Sequence, residues 1–108
     1  MFSEALHLLG AVAEQVFVIR QMASASLQLA YVAAGRLDAH CEVGREIDDW
    51  VAGVLLIQEA GGEVTDLGGE PFGWNAPGII AGQPSLRARL LELSRPLFPP
   101  SYRSPPSA

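Results

Sequence analysis

The sequence predicts an α/β fold, a layered β-sheet with flanking helices. Three observations carry that prediction. Stretches with apolar residues at helical spacing alternate with short runs of strand character. Glycine or proline punctuates most junctions between them. No segment repeats with the period of roughly 20–50 residues that marks a solenoid. A chain of 108 residues is enough for one compact domain and little more.

Each element follows from local signals. Ser3 can cap a helix over residues 3–14, whose Ala5, Leu8, Leu9, Val12 and Ala13 recur on one side. Residues 16–22 concentrate Val16, Phe17, Val18 and Ile19, which suits a strand. Ser24 then caps a second helix carrying Leu27, Ala30, Tyr31 and Ala34, and Gly35 supplies its left-handed stop. Leu37, Ala39 and Cys41 alternate with Asp38, His40 and Glu42, the period-two pattern of a half-buried strand with one polar face.

After Gly44, Glu46, Asp48 and Asp49 open an apolar helix that runs through Trp50, Val51, Val54, Leu55 and Ile57 and stops at Gly61 and Gly62. Its carboxylates oppose the positive end of the helix dipole. Residues 63–67 read as a strand, Gly68 and Gly69 as a turn, and residues 78–82 as a further short apolar strand. Pro84 fits the first position of a last helix with Leu86, Leu90 and Leu93 on one side. Residues 1–95 therefore form the expected domain. Residues 96–108 hold five of the eight prolines and are expected to be a disordered tail.

Composition excludes several function classes. The formal charge is −5, there is no lysine, and the seven basic residues are scattered arginines, so a nucleic-acid footprint is not expected. No apolar stretch approaches the roughly 18 residues of a membrane span. Glu4 and His7 interrupt any secretion-signal pattern, which makes the cytoplasm the expected compartment. Cys41 is the only cysteine, too few for an internal disulfide or a cysteine-based metal site, and reads as a small buried apolar residue. An apolar share of 49% is high for this length and suggests surface that needs a partner.

Three places bear on chemistry. The small residues 22–26 lead into a helix, whose free amide donors suit an anionic or oxygen-rich ligand, although plain capping by Ser24 explains them as well. Glu42 ends the polar strand face just before Gly44, where a lone glutamate is most often simply solvated. Asp48 and Asp49 start a helix, where either could cap it or offer a hard oxygen to magnesium. One carboxylate holds magnesium poorly, so such a site needs ligands from elsewhere.

Taken in order, these blocks resemble the inositol monophosphatase family. The resemblance rests on Ala23-Ser24-Ala25-Ser26-Leu27, the run from Ala30 through Gly35-Arg36-Leu37-Asp38-Ala39, Glu42, Asp49, Glu59-Ala60-Gly61-Gly62, and Val64-Thr65-Asp66 followed by Gly69 and Pro71-Phe72. It extends over residues 18–93.

The resemblance implies the carboxy-terminal half of the family fold and a magnesium-dependent phosphatase ancestry. It implies that Asp49 is a metal ligand, with Asp48 a possible second. Glu42 would bond substrate hydroxyls, and Ala23, Ser24 and Ala25 would line the substrate pocket, so that Glu42 and Asp49 share one cleft. Asp48 stands where the family usually has tryptophan, with Trp50 displaced by two positions, and Ala23 stands where it usually has glycine. Asp66 matches no family ligand and reads as structural.

The family's Asp-Pro-Ile/Leu-Asp-Gly-Thr motif, which supplies other metal ligands, does not occur in these residues. The chain is therefore expected to be inactive alone, with weak or no magnesium binding. It is expected to pair with an amino-terminal half or with itself, and to meet a small phosphorylated substrate such as inositol phosphate only when complemented. Sugar-phosphate and bisphosphonucleotide substrates stay open. The competing expectation is a noncatalytic binding or assembly module that reuses the fold.

Overall fold

The computed structural model describes residues 2–98 except 17, 21, 23, 45, 46, 74 and 75, with the backbone alone at Phe2 and Ile47. The tail from residue 99 and the expected pocket residue Ala23 lie outside the described residues. Seven elements follow one another: α1 (Phe2–Ala13), α2 (Ala25–Ala33), β1 (Ala39–Val43), α3 (Ile47–Glu59), β2 (Glu63–Thr65), β3 (Gly78–Gly82) and α4 (Pro84–Ser94).

The three strands form one antiparallel sheet in the order β1-β3-β2. The central strand β3 is buried along its whole length, which explains its unbroken apolar sequence. Its alternation divides the core. Ile80 packs among Leu8, Val12, Leu90 and Leu91 of α1 and α4, while Ile79 and Ala81 pack among Leu29, Trp50, Val54 and Ile57 of α2 and α3. The sheet is thus sandwiched between two helix pairs, and each buried isoleucine contributes roughly 2 kcal/mol by leaving water.

The glycine at 53 lets α3 approach α2. A Cβ there would fall 2.7 Å from Leu29 Cδ1 and would also meet Leu29 Cβ. Asp66 is buried, and its Oδ1 accepts from the amides of Gly68 and Glu70, 2.9 Å each, closing the turn after β2. The structural reading of Asp66 holds. Ser94, fully buried, donates its hydroxyl to the Leu67 carbonyl at 2.7 Å and fixes α4 to the same turn.

One expectation is corrected. The described residues of the expected strand at 16–22 form no strand. β1 pairs only with β3 among the described residues, and the described residues of this segment take no part in the sheet; β propensity alone does not make a strand without pairing. Val16 and Ile19 still pack on the core. Burial also continues past the expected domain limit at residue 95. Phe98 is 1% exposed and belongs to the α1/α4 core, and its amide bonds the Ser94 carbonyl at 3.0 Å. The periodic pattern ends at α4, but one aromatic ring beyond it still finds the core.

Cys41 projects from β1 toward the α1/α4 side. Burial, reinforced by the neighbouring Glu42 charge, pushes its thiol from 9.0 up to about 11. The neutral thiol is favoured in the folded state. Its stabilising contribution is therefore complete below pH 9.0 and lost as the pH rises toward about 11. Urea midpoints measured at pH 8 and pH 10.5 should fall less for Cys41→Ala than for the parent chain. In native protein at pH 8 the thiol should react with a disulfide reagent far more slowly than in urea. Equal rates in both would refute the burial argument.

Candidate functional site

A cleft of about 700 Å³ runs along the free edge of β1, between α1 and the start of α2. Leucines of α1 form its apolar wall, and Arg20, Arg36, Gln28, Asp38 and Glu42 contribute polar groups. Among the expected site residues, Glu42 and Ala25 line it, whereas Ser24, Asp48 and Asp49 do not.

Glu42 is the best-defined of them. His40 and Glu42 lie two apart on β1 and share a face, opposite Ala81 and Ile79 of β3. His40 Nε2 lies 2.9 Å from Glu42 Oε1, and the Trp50 indole N–H donates to the same oxygen at 3.3 Å. Trp50 is fully buried and projects from the first turns of α3. The polar face of β1 is therefore covered by a helix and bonded to it, rather than left to water.

Ser24 is the N-cap of α2, with φ −104° and ψ 112°, and its Oγ accepts from the Leu27 amide at 3.2 Å. Because Oγ accepts in that bond, its own proton stays available to a ligand. Two residues on, Ser26 donates to the Asp49 backbone carbonyl at 2.9 Å and ties the start of α2 to the start of α3. The beginnings of the two helices and the end of β1 are thus bonded into one corner. Ser26, His40 and Trp50 went unrecognised in the sequence. The i, i+2 spacing of His40 and Glu42 was the available signal; the Trp50 bond, reaching across the turn at Gly44, had none.

Asp48 and Asp49 are both exposed in the first turn of α3, and neither carboxylate bonds another described residue. Magnesium takes six oxygens in octahedral geometry, and no group of three or more His, Cys, Asp or Glu side chains converges among the described residues. The donor set described here does not make a magnesium site.

Comparison with known proteins decides the ancestry. The inositol monophosphatase family model matches residues 3–97. The chain belongs to the inositol monophosphatase family. It is 46% identical over 85 residues to the Nus factor SuhB of Pseudomonas aeruginosa, covering 79% of this chain and 31% of that protein. It is 45% identical over 97 residues to the inositol-1-monophosphatase of Rhizobium meliloti, covering 87% and 34%.

Among solved structures, the extragenic suppressor protein SuhB of Bartonella henselae superposes with a TM-score of 0.81 at 40% identity, over 85% of this chain and 39% of that one. The Thermotoga maritima IMPase superposes at 0.79 with 24% identity, over 90% and 39%, a likeness of fold alone. The chain spans about a third of the length of the curated relatives it matches. The family and the α/β fold expected from the sequence are both borne out, and this family member's best-defined polar site is the corner around Glu42.

Proposed function

We propose that this chain is the carboxy-terminal, substrate-recognition half of a magnesium-dependent phosphomonoesterase acting on inositol phosphate or a related small phosphate ester, and that it does not turn over substrate alone. The observation that carries the reading is Glu42, a partly exposed carboxylate held on the cleft wall by two buried donors. An ionised carboxylate so held is an acceptor for a polyol hydroxyl. The Ser24 hydroxyl and the first turn of α2 offer donors to an anionic group close by.

Magnesium, supplied with further ligands from elsewhere, would polarise the phosphate. Asp49 would be one ligand, with Asp48 beside it. The exposed apolar residues Val51, Leu55 and Leu56 of α3 support a partner surface, filled by an amino-terminal half or a second copy. Among the described residues no helix is long and apolar enough to cross a membrane, and a cytoplasmic setting is part of the proposal.

Phosphate release from inositol 1-phosphate with magnesium tests the reading. The chain alone should release none. Supplied in trans with the complementary part of the Rhizobium meliloti relative, it should gain activity, and Asp49→Asn should reduce that activity by about 100-fold or more, since even residues behind the ligands cost 10–100-fold. Turnover by the chain alone that vanishes in Asp49→Asn would overturn the claim of inactivity. Complemented activity indifferent to Asp49→Asn would remove that residue from the metal site. A chain that self-associates but gains nothing on complementation would favour the noncatalytic assembly module.

A further inference from the structure

The bonds around Glu42 are unequal in a way that bears on specificity. Both donors, His40 Nε2 at 2.9 Å and the Trp50 indole N–H at 3.3 Å, meet the same oxygen, Oε1. Oε2 accepts from none of the described residues. The Glu42 side chain is 28% exposed and lines the cleft, while the His40 side chain is 8% exposed and Trp50 is fully buried. The cross-strand neighbours of His40 and Glu42 are Ala81 and Ile79, so β3 offers neither side chain another polar partner.

An ionised carboxylate can only accept, and an indole nitrogen can only donate. His40 must therefore carry its proton on Nε2 whether the ring is neutral or charged. That fixes the tautomer and, with Trp50, fixes the carboxylate plane before any ligand arrives. The ordering that a free glutamate would undergo on binding is already complete.

We infer that His40 and Trp50 are positioning residues that commit Oε1 of Glu42 to the fold and leave Oε2 to accept one ligand hydroxyl. This rests on the proposed role of Glu42 in binding substrate hydroxyls. A carboxylate with both oxygens free could grip two vicinal hydroxyls at once; held in this way it reads a single hydroxyl, in one orientation.

NMR of the ¹⁵N-labelled full chain tests the two parts separately. Without ligand, the His40 ring should be protonated at Nε2 at neutral pH, with exposed His7 as an internal reference. The Trp50 indole resonance, assigned by its loss in Trp50→Phe, should move in Glu42→Gln. Titration with myo-inositol should move the Trp50 and His40 signals in the parent chain and not in Glu42→Gln.

His40→Phe fills the space but lacks the donor, and should weaken myo-inositol binding about tenfold. His40→Gln, which places an amide nitrogen near the Nε2 position, should restore most of it; a purely space-filling histidine would give the opposite ranking. An unprotonated Nε2, or a Trp50 resonance indifferent to Glu42→Gln in a variant that keeps the parent's dispersed spectrum, overturns the clamp, and the Nε2 readout, taken on the parent chain, stands even where a variant fails to fold. Clamp signals as expected that ignore myo-inositol overturn the hydroxyl role of Glu42 instead, and the positioning role with it.

Discussion

Trp50→Ala should destabilise the chain by about 4 kcal/mol, the cost of emptying a buried tryptophan site. Trp50 is fully buried among Leu29, Val54, Ile57, Ile79 and Ala81, so it contacts α2, its own helix and the central strand together. Its ring stands 5.8 Å from that of Phe72 at a tilted 59°, a favourable edge-on arrangement. Alanine would leave a cavity that three elements cannot close without moving the sheet. It would also remove the indole donor from Glu42, so stability and the site should fail together.

For a domain of this length that cost corresponds to a Tm lower by roughly 20 °C. Trp50→Phe separates the contributions, because it keeps much of the volume and loses the N–H; it should cost about 1–2 kcal/mol. Thermal and urea unfolding of both variants give the comparison. An alanine variant no less stable than the phenylalanine variant would show that the α2/α3 core does not depend on the ring.

Much of this was legible in the sequence, and where it was not the reasons are physical. Helix limits came out well because their signals are local: Ser24 caps α2, Gly35 takes a φ of 78° at its end, and Pro84 opens α4. β3 was legible because a strand buried on both faces has only apolar residues and bounding glycines. The strand expected at 16–22 failed because propensity says what a segment favours, while a ladder requires backbone pairing, which its described residues do not make. Phe98 was hidden by its proline-rich surroundings.

At the site, Glu42 was found by family resemblance, since a glutamate at a strand end has no distinguishing pattern. Its partners could not be found that way. His40 looked like half of a solvated face and Trp50 like a displaced tryptophan, and only the placement of α3 over β1 joins them. Asp48 and Asp49 were left between capping and ligation. Both carboxylates prove exposed in the first turn of α3, which leaves that choice to be tested.

Gly78→Ala, a single added methyl, should be about as damaging as the loss of Trp50, although it leaves every existing atom in place. A Cβ at Gly78 would stand 2.5 Å from Leu67 Cδ1 and 2.8 Å from Leu67 Cγ, and would collide with the Glu42 carbonyl oxygen. Leu67 is fully buried and cannot swing away, and the carbonyl belongs to the strand paired with β3 in the register Glu42–Ile79 and Val43–Gly78. The Gly44 amide also bonds the Pro77 carbonyl at 2.8 Å, so both chains are held at this point.

Relief requires the end of β1 to part from β3, with an expected cost of about 3 kcal/mol or more, the upper range for overpacking because backbone must yield. The displaced segment carries Glu42, so the Trp50 indole resonance should shift in whatever fraction still folds. Gly10→Ala is the control. That glycine lies within α1 with nothing within 4 Å of an added Cβ, and the change should stabilise the helix by about 0.5–1 kcal/mol. The two variants make the same chemical change with opposite expected signs. Equal urea midpoints for them would mean that the close approach of β1 to β3 at Gly78 does not control stability, and the rigid placement of Glu42 would lose its mechanical basis.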